Sequence, residues 1–286
     1  AEHGFVVCQG GLPSVAEAAA REAADLYAAG RMQPGATSPG AVYAMPQGYA
    51  SPVPVSFWHP REEPGSAAGG MALLDAKLLA FGRNLAAALG RISAADGFGD
   101  LLPFGRADDG GRLEISQEAQ LMVSCFSGSG TRYAPHVDNA DGDGRKATDL
   151  GRCFALIYYL NEDWQPADGG DFRAYLPQPL SRRLGLPPGT VPAMDVAPSA
   201  DTLLVFRADK LLHEVRPTRG RQRLAVTLWL SARSTGRDAN AEAHSMTGSA
   251  AAGPQATAAR SLPLYPRDEY GRCVEAALHE SPFRPM

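Results

Sequence analysis

A chain of 286 residues with 44% hydrophobic and 20% charged residues has the composition of an ordinary globular protein with ample core volume. Its net charge of -4 leaves no basic footprint for nucleic acid and no pull towards an anionic membrane. The longest apolar run, Phe154 to Leu160, is far too short to cross a bilayer, so neither a nucleic-acid nor a membrane partner is expected.

Phe5-Val-Val-Cys8 is a short strand candidate. Pro13 suits a first helical position, and Ser14 to Ala29 is rich in Ala, Glu, Arg and Leu. Val15, Ala19, Ala23 and Leu26 recur at helical spacing, with Gly30 as the terminator. From Gly30 to Gly70, Pro, Gly, Ser and Ala dominate, apart from a strand candidate at Val55-Ser-Phe-Trp58. A loop of that length in a compact domain is a functional lid or a disordered segment. Met71 to Leu89 reads as a second helix closed by Gly90.

The β-rich half starts near Ala119. Leu121, Val123 and Cys125 alternate with Met122, Ser124 and Phe126, the period of a half-buried strand. Tyr133 to Val137, Phe154 to Leu160, Gly169 to Tyr175, Asp201 to Phe206, His213 to Val215 and Arg223 to Leu230 bring the total to roughly eight short strands. Pro177 to Ala200 holds six prolines and reads as irregular. This pattern predicts a mainly β fold with flanking helices (α+β), best as a jelly roll enclosing a site. The composition after Ser231 predicts a flexible linker over 233–260, then a C-terminal segment 261–286 with a helix at Asp268 to Glu280. Four scattered cysteines (Cys8, Cys125, Cys153, Cys273) form no CxxC pair, which points to a reducing compartment, the cytoplasm or alternatively the nucleus. No charged-then-apolar leader opens the chain; it begins at Ala1 without Met, so an upstream part is expected to be missing.

The chemistry is concentrated in Thr131-Arg-Tyr-Ala-Pro-His136-Val-Asp138 and, far downstream, Leu211-Leu-His213-Glu-Val. His136 and Asp138 are two apart, so on a strand both leave the same face. Two imidazoles and one carboxylate on one face of an iron, with other positions open, make the facial triad of non-haem Fe(II) oxygenases. Arg223 opens the alternating run to Leu230 and can hold the far carboxylate of a dicarboxylate co-substrate through two parallel hydrogen bonds, with Arg221 next in line. Taken singly, a lone His is commonly a core or surface residue, and an Arg at a strand start is commonly a solvated charge. The order H-x-D, H, R is what carries the reading.

The run Ala119 to Arg145, with Ser127-Gly-Ser-Gly130, His136-Val-Asp138 and Gly142-Asp-Gly-Arg145, resembles the prolyl 4-hydroxylases of the hypoxia-inducible-factor type. Ile157-Tyr-Tyr-Leu-Asn-Glu-Asp-Trp164, Asp201 to Asp209, His213-Glu-Val-Arg-Pro217 and Arg223 to Trp229 extend the likeness over most of residues 3–232. The resemblance implies a double-stranded β-helix with helical support over 1–118 and a core over 119–232. It also implies Fe(II), 2-oxoglutarate, O2 and ascorbate, and trans-4-hydroxylation of a proline in a protein or peptide substrate, with an oxygen-sensing role. By position it makes His136, Asp138 and His213 the metal ligands. Arg223, Tyr159 and Thr227 would bind the co-substrate, and Tyr133, Arg145 and Trp229 would contact the substrate. Tyr133 and Trp229 also read as ordinary packing residues. Strand alternation favours Tyr159 over Tyr158 as the pocket member of that pair.

Three features depart from the family pattern. Phe126 stands where the animal enzymes carry a tyrosine, a loss of about 1 kcal/mol in keto-acid binding. The Lys146 to Cys153 link is longer than the family's, and the Pro177 to Ala200 segment is expanded, as the Gly30 to Gly65 loop is distinct. The other functions compatible with these residues are a dioxygenase acting on a free amino acid or small metabolite, and a non-catalytic jelly-roll binding module.

Overall fold

The computed structural model describes residues 5–34, 54–58, 69–92, 113–117, 121–138, 149–176, 192–208, 211–234 and 284–285. Two helices, a large antiparallel sheet and a small one lie in three layers. Helix α1 spans Pro13–Ala28 and α2 spans Gly70–Ile92. The strands are β1 (Phe5–Gln9), β2 (Gln33–Pro34), β3 (Pro54–Trp58), β4 (Leu113–Gln117), β5 (Leu121–Phe126), β6 (Tyr133–His136) and β7 (Asp149–Tyr159). They continue with β8 (Phe172–Tyr175), β9 (Ala193–Val196), β10 (Thr202–Arg207), β11 (His213–Val215), β12 (Arg223–Ser234) and β13 (Arg284–Pro285). The large sheet runs β13-β1-β10-β7-β12-β5-β3-β2, with β4 also paired to β12, and the small one runs β6-β11-β8-β9. This is the predicted jelly roll with helices on its outer face.

Strand alternation decides which layer each side chain enters. Leu156, Tyr158 and Leu160 of the β7 run, Leu203 and Val205 of β10, and Leu224, Val226, Leu228 and Leu230 of β12 pack with the helices. Their neighbours Ala155, Tyr159, Leu204, Phe206, Ala225 and Trp229 face the small sheet, meeting Phe172 and Ala174 of β8 and Val196 of β9. Each fully buried Leu or Phe in these layers contributes about 1.5–3 kcal/mol.

The helices are fixed to the sheet by borrowed caps. Leu12, at the N-cap of α1, offers no side-chain cap; the Asp201 carboxylate accepts its N–H instead, at 2.9 and 3.0 Å, and also accepts the Tyr158 hydroxyl. The Glu22 carboxylate of α1 accepts the Gly70 and Met71 N–H groups that open α2. Gly70 permits that approach, since a Cβ there would lie 2.4 Å from the Ala18 Cβ.

Several expectations need correction. Helix α2 runs through Gly90 to Ile92, because one glycine costs a helix only about 1 kcal/mol and does not by itself end it. The β-rich part begins at β4, before Ala119, and β7 takes up Asp149 to Cys153, so most of the long link is strand. The Pro-rich segment contains β9, and the loop after Gly30 contains β2. Leu203 to Val215 divides between strands of different sheets, and the described residues alone hold thirteen strands where roughly eight were expected. Strand β5 is buried on both faces, because its sheet lies between the helices and the small sheet. Residues 233–234, placed in the linker, still belong to β12, and the C-terminal segment adds β13 to β1. The C-terminal helix, most of the linker and most of the Gly30 to Gly65 loop lie outside the described residues. Among the described residues, no helix is long and apolar enough to cross a membrane.

Candidate active site

Strands β6 and β11 pair so that His136 faces His213 across the register, with ring centroids 4.2 Å apart. Asp138 lies two residues beyond the end of β6, in a turn rather than on the strand as expected. It nevertheless returns to the same point: its Oδ1 is 3.2 Å from His136 Nε2 and 3.6 Å from His213 Nε2. Donor atoms of all three residues fall within 4.8 Å of one another. Metal–ligand bonds of about 2.1 Å on perpendicular axes separate their donors by about 3 Å, so the set fits one octahedral ion with little movement.

The protonation pattern agrees. His136 Nδ1 lies 2.8 Å from the Ala134 carbonyl and His213 Nδ1 lies 2.9 Å from the Leu211 carbonyl. A carbonyl only accepts, so each Nδ1 carries a proton and each Nε2 is the ring atom turned towards Asp138. Burial, and then the neighbouring His136, push the His213 pKa down to about 4, keeping it neutral. Burial alone would raise the Asp138 carboxyl; His136, His213 and the Trp229 indole outweigh it and hold the group well below the carboxylate range. An imidazole nitrogen and a carboxylate oxygen that meet this closely share either a proton or a metal ion. Phe172 stacks on His213 at 4.9 Å and Phe206 meets its edge at 4.7 Å, fixing the ring.

The inward face of β12 presents Arg223, Ala225, Thr227 and Trp229, all buried. Trp229 does more than pack: its indole N–H donates to Asp138 Oδ2 at 3.0 Å, which leaves Oδ1 to face the two imidazoles. Over its other side lies the Arg152 guanidinium, 3.8 Å from the ring centroid. Arg145 lies outside the described residues, and the arginine brought beside the triad is Arg152. Tyr133 is half-buried against His136, with centroids 4.4 Å apart, and contacts Phe126 and Val215.

Arg223 is fully enclosed. Its Nε donates to the Gly170 carbonyl at 2.8 Å, and the Phe126 and Tyr159 rings flank the guanidinium at 4.8 and 5.1 Å. Among the described residues, no carboxylate forms an ion pair with it. The Tyr159 hydroxyl beside it is buried without a well-formed hydrogen bond, and burial pushes that phenol up to about 12, so it stays a donor. A buried guanidinium without a carboxylate ion pair among the described residues, beside a buried phenol without a well-formed hydrogen bond, fits the carboxylate of a ligand. Tyr158, as alternation required, points to the opposite face and reaches Asp201. Thr227 sits between Arg223 and Trp229 on the inward face, across the register from Met122 and Ile157.

Residues 120–231 match the family model of the 2OG-Fe(II) oxygenase superfamily. Egl nine homolog 1 of Homo sapiens is 37% identical over 121 residues, which is 42% of this chain and 24% of that protein. The hypoxia-inducible factor prolyl hydroxylase of Caenorhabditis elegans is 38% identical over 118 residues, 41% of this chain and 14% of the relative. The chain thus spans well under half the length of these relatives. Among solved structures, a Pseudomonas putida prolyl-4-hydroxylase superposes with a TM-score of 0.51 at 23% identity, covering 80% of this chain and 92% of the other. A Trichoplax adhaerens prolyl hydroxylase in complex with a hypoxia inducible factor peptide fragment gives 0.53 at 22%, covering 80% and 83%. At these identities the two structures speak for the fold. Residues 120–231 thus resemble a 2OG-Fe(II) oxygenase domain and carry the triad, and over about 120 residues the chain is similar to the Egl nine prolyl hydroxylases.

Proposed function

We propose that this protein is an Fe(II)- and 2-oxoglutarate-dependent dioxygenase that hydroxylates a prolyl residue of a protein or peptide at C4, in an oxygen-sensing role. The observation that carries the reading is the convergence of His136, Asp138 and His213, together with a buried Arg223 that forms no ion pair with a described carboxylate. His136, Asp138 and His213 would hold the metal, and Arg223 with the Tyr159 hydroxyl would hold the far carboxylate of the keto acid. Thr227 lines the same face. Bound Fe(II), with the keto acid and O2, supplies decarboxylation to succinate and CO2 and transfer of one oxygen atom into a C–H bond.

The protein's own part is orientation and exclusion of water. The two Nδ1 hydrogen bonds fix both imidazole tautomers, so the Nε2 lone pairs are presented without rearrangement. Trp229 holds Asp138 in a one-oxygen mode, leaving more of the metal's coordination sphere for co-substrates. The apolar wall of Phe172, Phe206 and Ala174 keeps solvent from the triad. On the substrate side we assign Tyr133, Trp229 and Arg152, the last in the place expected of Arg145. A half-buried aromatic suits a pyrrolidine ring, and a guanidinium suits the carbonyls of a peptide.

Residues 1–232 are read as the dioxygenase unit, with ascorbate as accompanying reductant. Cys8, Cys125 and Cys153 are buried thiols not joined in disulfides, which fits a cytoplasmic protein. The test is succinate release with and without proline-containing peptides, followed by mass spectrometry of a treated proteome. The expected result is coupled turnover with a +16 Da shift on proline. Turnover coupled only to free amino acids or small metabolites would transfer the reading to that class, and no turnover with intact metal binding would leave a binding module.

A further inference from the structure

Building on the co-substrate reading above, we infer that Thr218 is a further co-substrate ligand, its hydroxyl donating to the far carboxylate of the keto acid beside Arg223 and Tyr159. Two buried hydroxyls, those of Tyr159 and Thr218, lack a hydrogen-bond partner, and Thr218 has no exposed surface. Both lie at Arg223. A Cβ placed on Gly170 would lie 3.0 Å from Arg223 Cδ and 3.3 Å from Thr218 Oγ1, so the arginine stem and the hydroxyl flank one point. Gly170, at φ +70°, leaves that point open.

The hydroxyl has no easy alternative. The Thr218 backbone is fixed on both sides, its N–H donating to the Thr131 carbonyl at 3.0 Å and its carbonyl accepting the Gly130 N–H at 2.8 Å. Nearby carbonyls are engaged too: Gly170 O accepts Arg223 Nε, and Pro217 O accepts the Gly170 N–H. With the Thr218 hydroxyl beside the Arg223 stem and the Tyr159 ring beside its guanidinium, three donor groups gather at this one side chain. A carboxylate, with about four lone-pair sites, satisfies such a set; a neutral carbonyl does not. Phe126, which packs on Arg223 and has no hydroxyl to give, leaves room in the donor set for Thr218.

The experiment uses the protein loaded with Mn(II), which binds the same ligand types without turnover, and calorimetric titration with two probes. 2-Oxoglutarate engages both the metal and the far-carboxylate pocket, whereas oxalate engages the metal alone. Thr218→Val is expected to weaken 2-oxoglutarate about tenfold while oxalate and Mn(II) affinities stay at the wild-type level, and Thr218→Ser is expected to restore binding. Equal 2-oxoglutarate affinity in Thr218→Val and wild type overturns the assignment, as does a parallel loss for oxalate, which would mark a structural role. If Thr218→Val does not fold, Thr218→Ala is judged by the same two probes. Wild-type protein that takes up Mn(II) but binds no 2-oxoglutarate would instead sink the co-substrate reading itself, and Thr218 with it.

Discussion

At the scale of single residues, the site depends on hydrogen bonds that fix what each ligand can offer. Trp229 is the clearest instance, since its indole N–H occupies Asp138 Oδ2 while the ring remains part of the inter-sheet core. Trp229→Phe keeps most of the packing and frees the carboxylate to rotate. Loss of such an outer partner typically lowers metal affinity by about 10–100-fold, and a metal titration of the variant against wild type measures it. Unchanged affinity would return Trp229 to simple packing. Arg223→Lys keeps the charge but loses the fork and the flat stack between Phe126 and Tyr159. The keto-acid KM is expected to rise about tenfold or more, with metal binding intact. The paired tyrosines give an internal control. Tyr159→Phe is expected to raise the same KM, whereas Tyr158→Phe costs stability by about 1–2 kcal/mol through Asp201, with no effect on KM. Denaturant unfolding and steady-state kinetics on the two variants separate these outcomes.

Two elements carry the site without belonging to it. The turn from Asn161 to Gly170 provides the carbonyl that aims Arg223. It is held by Asn161, which accepts the Leu224 N–H at 2.6 Å and donates to the Leu224 and Pro198 carbonyls at 3.0 and 2.7 Å. Arg221, the alternative to Arg223 by sequence, belongs to this support: it donates to the Glu162 and Asp163 carbonyls and lies over Trp164 at 5.2 Å. Asn161→Ala leaves buried backbone groups unpaired, so a stability loss of about 2–3 kcal/mol is expected, together with a raised keto-acid KM. A KM that stays put while stability falls would separate the turn from the pocket. The second element is the chain between β2 and β3, whose two ends pair with each other and, through β3, with β5. We propose that it closes over a bound peptide. Replacing residues 35–50 with a short Gly/Ser linker spares both strands. Peptide hydroxylation should fall by about tenfold or more while uncoupled keto-acid decarboxylation survives. Parallel loss would make the segment structural, and no loss would end the lid idea.

For the whole molecule, metal binding and folding are linked because the ligands come from β6, the turn after it and β11, which meet only in the folded chain. An ion that binds the native state alone stabilises it by about 2.7 kcal/mol at a hundred times its dissociation constant. Wild type should therefore gain about that much stability from Mn(II) in denaturant unfolding. His136→Ala and His213→Ala should gain none, since two remaining ligands hold the ion poorly. A normal gain in either variant would place the metal elsewhere. The same layering sets where substitutions are tolerated: the Ala16, Ala19 and Ala23 face of α1 is buried against α2 and the large sheet, so larger side chains there would force the layers apart.

How much of this was legible in the sequence follows from the range of the interactions involved. Helix α1, the strands with clear alternation and the assignment of Tyr158 and Tyr159 to opposite faces rest on local periodicity, which a strand or helix must obey wherever it packs. The identities of His136, Asp138, His213 and Arg223 were equally readable, since the chemistry of a facial triad admits few residue types in that order. What lay out of reach depended on neighbours distant in the chain. Glycine at 90 passes through α2 because flanking turns hold it, and β4, β9 and β2 exist because strands distant in the chain or across a turn offer them a partner edge. Asp138 reaches the triad from a turn, and Trp229 meets it only across the two sheets. Sequence alone singled out the three triad residues that the fold brings together and sent Tyr158 and Tyr159 to opposite faces. The tertiary structure decided which polar atoms were left without partners around Arg223, because hydrogen-bond satisfaction is a property of the packed chain and cannot be assigned to any one segment of it.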